Sequence, residues 1–171
     1  AEAYFQAGRY GDAEALCEEL LAVESSPVEA SRLLADTYDA LATATRKKSD
    51  VATALQYHQQ AQAQREKLVQ DFPDNPEYHA ELGRTLHHVG VALGRQGEDR
   101  QALTTFERAV DAFEKAPQRF TWGRWRDSAL RNMAATQARL GHLDEAVQSS
   151  DRAAALCRKF VFQHPAVPAL K

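Results

Sequence analysis

The sequence predicts an all-α chain built as an array of antiparallel helical hairpins. Three observations predict it. Spaced small residues recur: Gly97–Ala102–Ala109 and Gly141–Ala146–Ala153 share one spacing. Gly8–Ala13–Leu20 repeats it with a Leu in the last slot, and Ser49–Ala54–Ala61 keeps both alanines without the Gly. Such self-similarity marks a repeat architecture, in which each unit buries its apolar face by stacking on its neighbours. The composition is dominated by Ala, Leu, Glu, Gln and Arg, all strong helix formers, with no β-branched clusters. The prolines, Pro27, Pro73, Pro76, Pro117, Pro165 and Pro168, fall where helical patterns start or stop.

Residues 1–6 read as the tail of a helix closed by Gly8, and Tyr10 to Glu24 as the next helix, with Ala13, Leu16, Cys17, Leu20 and Leu21 on one face. Ser26 is an N-cap with Pro27 at the first helical position of a helix to Arg46, which turns Leu33, Leu34, Tyr38 and Leu41 inward. Lys47 to Asp50 form a turn, with cations near the preceding helix C-terminus. A helix from Asp50 to Asp71 carries Leu55, Tyr57, His58, Leu68 and Val69. It stops at Phe72-Pro73-Asp74-Asn75-Pro76, where two prolines flank polar turn residues. Asn75 caps a helix ending at Arg95 and closed by Gly97. A helix from Asp99 to Lys115 follows. Pro117 to Gly123 is expected as an irregular connection, before helices from Arg124 to Leu140 and Leu143 to Gln163.

The chain has 171 residues, 44% hydrophobic and 26% charged, a globular composition. A net charge of −3 gives no electrostatic case for nucleic acid or an anionic membrane, and no apolar run is long enough to span a bilayer. The absence of an initiator Met and the entry in mid-pattern read as a fragment of a longer protein. Cys17 and Cys157 lie far apart, each inside an apolar helical pattern, and read as buried free thiols. That favours a reducing, cytoplasmic location.

The small residues have a packing reason. Gly90 or Ala42 on a first helix is expected to face Ala54 or Ala102 on a second, letting the two axes approach. A larger residue there costs roughly 1–3 kcal/mol by overpacking. Leu86-x-x-Val89-Gly90-x-x-Leu93 precedes Gly97, Ala102, Phe106 and Ala109. Tyr38-x-x-Leu41-Ala42 precedes Ala54, His58 and Ala61, and Leu130-x-x-Met133-Ala134 precedes Gly141, Ala146, Ser150 and Ala153.

This pattern resembles the tetratricopeptide repeat (TPR). The spacing from Ala13 to Ala54, Ala102 and Ala146 runs 41, 48 and 44 residues, against a standard period of about 34. The longer hairpins are similar to those of kinesin light chains and many bacterial repeat proteins. The run Arg65 to Tyr78 followed by Leu86-His87-His88-Val89-Gly90 is similar to repeats appended to bacterial, planctomycete-type Ser/Thr protein kinases, where the two histidines are usually asparagines. The resemblance implies a right-handed α-α superhelix over residues 1–171. Its expected parts are a partial repeat at 1–26, repeats at 27–74, 75–117 and 118–164, and a tail at 165–171.

The resemblance also implies a concave groove that takes a protein or peptide segment. By position its candidates are Asp36, Asp39, Thr43, Arg46, Arg84, His87, Val91, Arg95, Arg131, Asn132, Ala135 and Arg139. Arg84, Arg95, Arg131 and Arg139 are residues suited to carboxylates or phosphates. His87 and Val91 stand where the chaperone-tail-binding subgroup has Lys and Asn, so that ligand is not implied.

No CxxC, HExxH, GxSxG or phosphate-loop pattern occurs. His87 and His88 are adjacent, so on a helix they point about 100° apart and do not share a metal. His58 reads as a packed, hydrogen-bonded core residue. Trp122 and Trp125 either staple the connection to the third hairpin or, for Trp122, offer an aromatic anchor to a partner. The expected function is a non-catalytic interaction or scaffold module of a larger bacterial signalling protein, with no cofactor, no nucleic acid and no membrane. The alternatives are a self-assembly module stacking through terminal helices and a ligand-sensing domain that regulates an attached kinase.

Overall fold

A computed structural model of the chain describes residues 11–12, 15–16, 18–19, 27–47, 50–116 and 120–163. Among them every regular element is helical: α1 Pro27–Lys47, α2 Val51–Asp71, α3 Pro76–Arg95, α4 Asp99–Lys115, α5 Phe120–Arg139 and α6 Leu143–Gln163. The described positions between 11 and 19 are helical as well. The rest of the expected partial repeat, Cys17 and the tail at 165–171 lie outside the described residues. None of the described helices is long and apolar enough to cross a membrane.

Local chemistry sets the helix ends. Asp50 caps α2, its carboxylate accepting from the Thr53 backbone N–H at 3.0 Å. Asn75 caps α3 by accepting from the Glu77 N–H at 3.1 Å, with Pro76 at the first position. The turns after α3 and α5 are alike. Gly97 and Gly141 adopt φ +84° and +85°, a region that only Gly enters without strain. In the first turn Glu98 N–H donates to Leu93 O (3.0 Å) and Gly97 N–H to Gly94 O (3.3 Å). In the second, His142 donates to Gln137 (2.9 Å) and Gly141 to Ala138 (3.1 Å). Both are Schellman motifs. Each is followed by one helical turn that brings the backbone N–H of Ala102 or Ala146 onto the carbonyl of Glu98 or His142. Ala54 holds the same place in α2, donating to Asp50 O.

The helices pair as α1/α2, α3/α4 and α5/α6. Successive hairpins join through α2 on α3 and α4 on α5, and α3 also touches α5. Among the described residues the spaced alanines are all buried: Ala54, Ala61, Ala102, Ala109, Ala146 and Ala153. The spacing suggested Ala102 as the neighbour of Gly90, but the atoms nearest to it belong to Phe106. A Cβ on Gly90 would lie 2.7 Å from the Phe106 ring, and one on Gly83 3.0 Å from Phe113. These two glycines of α3 therefore each seat a phenylalanine of α4. The close neighbour of Ala102 is Gly94, whose added Cβ would stand 3.9 Å from the Ala102 methyl.

The helix α5 begins at Phe120, inside the segment expected to be irregular. Trp122 and Trp125, three residues apart, reach the main core from one face of the helix. Packing of the two indoles outweighs the break signalled by Gly123. That core joins Leu86, Val89 and Leu93 of α3 to Phe106, Val110 and Phe113 of α4 and to Leu130 and Met133 of α5. Leu34, Ala35 and Tyr38 of α1 form a separate cluster with Ala61 of α2. Leu55 of α2 belongs to the main core, so among the described residues the apolar core is interrupted between the α1-centred cluster and the rest.

Candidate functional site

The interruption is filled by charge. Arg65, in the middle of α2, is only 1% exposed. Its Nη1 donates to Asp39 Oδ2 at 2.6 Å and to the Thr85 hydroxyl, and its Nη2 donates to Asp36 Oδ1 at 2.7 Å. Asp36 and Asp39 lie three residues apart on α1, so one helix face presents both carboxylates to one guanidinium. Arg84 of α3 adds Nη2 at 3.4 Å from Asp39 and 3.6 Å from Asp36. His58 Nδ1–H donates to Asp39 Oδ1 at 3.0 Å. Burial alone would raise the Asp39 pKa, but the His58 hydrogen bond and the charges of Arg65 and Arg84 override it and hold the carboxyl well below the usual range. Burial raises Glu81, beside the same cluster, despite the nearby arginines. The Nε atoms of Arg65 and Arg84 are buried without a partner, so the cluster is not fully satisfied.

Beside this hub lies a group of rings. His58 and His88 stack with centroids 5.1 Å apart and planes 7° apart. Trp125 of α5 meets His87 at 5.4 Å and His88 at 5.1 Å, both edge-on. His87 is buried, and Ser128 Oγ and Asn132 Nδ2 each lie 3.0 Å from its Nε2. With Asn132 donating, the ring proton sits on Nδ1, which is buried and unpartnered. Burial, then the nearby His58, pulls His87 down to about 4. Burial, then the other two histidines, pulls His88 down to about 3. Both rings are therefore neutral at physiological pH. No group of three His, Cys, Asp or Glu placed to hold a metal occurs among the described residues.

The other candidates distribute as follows. Asp39, Asp36 and Arg84 belong to the hub, and His87 and Asn132 to the α3–α5 junction. Thr43 is exposed, its hydroxyl donating to the Asp39 backbone carbonyl at 2.9 Å. Arg131 pairs with Asp127 at 3.0 Å and donates to Cys157 Sγ at 3.4 Å. Arg139 grips Asp99 through both Nε and Nη2, at 2.6–3.1 Å. Val91 is half-buried, and Arg95 and Ala135 are exposed. Arg95 has no ion pair among the described residues. The Arg46 side chain lies outside them. Trp122 is half-buried, and its Nε1–H donates to Glu77 Oε2 at 3.2 Å, which ties α5 to the start of α3.

Sequence reasoning missed Arg65. The signal was present in the repeat itself. Eleven residues after the first spaced alanine stand Arg65, Phe113 and Cys157, and four after it stand His58, Phe106 and Ser150. An Arg in a slot that the next hairpin fills with a buried Phe needs partners, and Asp36 and Asp39 are the acids on the adjoining helix.

No protein-family model matches the chain, and no curated protein does. Among solved structures it is similar to one described as MamA MSR-1 C2, with 20% identity over 92% of each chain and a TM-score of 0.36, too low to carry an argument.

Proposed function

We propose that this chain is a non-catalytic interaction module of the extended tetratricopeptide type, coiled as a right-handed superhelix and binding a peptide or protein segment along the face shared by its first helices. The observation that supports the reading is the repetition of one hairpin. The spaced alanines recur, buried, on α2, α4 and α6, the turns after α3 and α5 share the same Schellman geometry, and each hairpin packs on the next, as in an open row. An open row of stacked hairpins leaves a long surface without closing a pocket.

Several groups on the α3 and α5 side are free to meet a partner. Arg95 and Arg124 are exposed without an ion pair among the described residues, and Trp125 is half-buried beside Thr121 and Ser128, which with Arg124 line one hollow. An aromatic flanked by arginine and hydroxyls is a chemistry enriched at interface hot spots. Panning a random peptide library tests the reading. Binders are expected to weaken on Arg95→Glu or Arg124→Glu and to be unaffected by Arg158→Glu on α6. Indifference to both α3 and α5 changes would count against it.

A further inference from the structure

The second junction contains a template for a ligand that the first junction lacks. Asp99, at the first position of α4, is held by Arg139 near the end of α5 in a two-pronged carboxylate–guanidinium pair. One junction earlier, the position of Asp99 is filled by Val51, each three residues before a spaced alanine (Ala102, Ala54), and that of Arg139 by Arg95, each seven before one (Ala146, Ala102). Replacing the acid by valine removes the carboxylate and leaves the guanidinium: Arg95 is exposed and unpaired among the described residues, whereas Arg84, Arg131 and Arg139 all have acids.

A small space lies beside that unpaired guanidinium. A cleft of about 30 Å³ opens beside Arg95, walled by Val51, Ala54, Val91 and Ala92. The stacked imidazoles of His58 and His88 also line it. In the second junction the place of His58 is taken by Phe106, which is buried in the core. A space of this size holds a few waters or one small aliphatic group, and walls of this kind favour the aliphatic group.

We propose that the α2–α3 cleft is a binding site for an aspartate side chain on a partner peptide, with a small aliphatic residue such as valine beside it. The partner's carboxylate takes, on Arg95, the place that Asp99 takes on Arg139. The neighbouring aliphatic side chain fills the cleft against Val51, Ala54 and Val91. A bidentate guanidinium–carboxylate contact sets the orientation, and the cleft limits the size of the adjacent side chain. The inference deepens the interaction reading, on which it rests for the partner being a peptide.

The test uses N-acetyl-Val-Asp amide as probe, followed by NMR shifts of the Val51 and Val91 methyls, the His88 ring and the Arg95 Nε–H. Saturable shifts are expected at these positions, weaker by about tenfold for N-acetyl-Val-Asn amide and for the Arg95→Gln protein. N-acetyl-valine, with its carboxylate on the main chain, is expected to bind more weakly than the Val-Asp probe. Equal or tighter binding would reassign the site to a C-terminal carboxylate and overturn the aspartate assignment.

Val51→Asp supplies the missing acid within the chain. It is expected to pair with Arg95, slow exchange of its Nε–H, and abolish probe binding with the melting temperature kept or raised. Equal shifts for Asp and Asn probes, or probe binding unchanged in both Arg95→Gln and Val51→Asp, would overturn the proposal. A library peptide that binds through Arg124 and ignores Arg95→Gln, together with a silent Val-Asp probe, would remove this site and leave the interaction reading standing.

Discussion

At the scale of single residues, fit between helices decides which substitutions matter. Gly90 and Gly94 lie one turn apart on α3, yet they meet different surroundings. A methyl on Gly90 meets the ring of Phe106, itself 2% exposed and unable to retreat, whereas one on Gly94 meets only ordinary contacts at 3.5 and 3.9 Å. Gly90→Ala is expected to lower stability by about 1–3 kcal/mol. Gly94→Ala is expected to leave it unchanged or raise it by up to about 1 kcal/mol through helix propensity. Denaturant midpoints of the two variants check the contrast, and similar effects at both sites would refute the seating of Phe106 on Gly90. Arg65 illustrates the other kind of residue-scale effect. Its removal takes the nearest cation from the buried Asp39, leaving the His58 hydrogen bond and the more distant Arg84, and breaking such a buried pair typically costs about 3–5 kcal/mol. The double variant Arg65→Ala/Asp39→Ala is expected to lose less than the sum of the single losses, because the weakened charge is gone as well.

At the scale of elements, the two junctions are built from different materials. The α4–α5 junction is mainly apolar, with ion pairs such as Asp99–Arg139 at its exposed edge, while α1, α2 and α3 meet around a buried ionic hub that separates the α1 cluster from the main core. In Arg65→Ala, hydrogen exchange is therefore expected to accelerate in α1 and α2 well before α3 to α6, and a uniform acceleration would contradict the division. Acid acts on both junctions. Below the ordinary histidine value of 6.5, the unfolded chain binds protons that His87, at about 4, and His88, at about 3, refuse when folded. Their stabilising contribution is complete above pH 6.5 and drains away as pH falls towards 3–4. Asp39, held below its ordinary 3.8, adds a loss below that value. The melting temperature is expected to be level above pH 7 and to fall below about 6.5, with a shallower fall in His88→Phe. A flat profile down to pH 4 would show that these rings are not buried neutral.

The helices were legible in the sequence because their boundaries are written locally. Asp50, Asn75, Pro76, Gly97 and Gly141 each act within a few residues of themselves, and each sits where its chemistry predicts. The site was less legible because its contacts are not local. Arg65 meets Asp39 across 26 residues and His87 meets Asn132 across 45, and no periodicity reports which side chains cross a junction. The start of α5 was missed for a related reason: the pull of Trp122 towards Glu77 of α3 is a tertiary contact that outweighs local break signals.

At the scale of the whole molecule, the spaced alanines recur buried on the second helix of each hairpin, and the slots around them vary. One slot holds Asp39, His87 and Arg131 in successive hairpins, and another holds Val51, Asp99 and Leu143. The packing pattern thus repeats while the chemistry along the row changes from hub to rings to surface ion pairs, which suits a surface that reads a partner residue by residue. The most direct measurement is NMR shift mapping of a library-selected peptide on the intact chain. Binding in the groove is expected to concentrate shifts on Val91, Arg95, Arg124, Trp125 and Ser128 of α3 and α5. Shifts confined to the outer positions of α4 and α6, such as Glu107, Asp111 and Gln148, would contradict it.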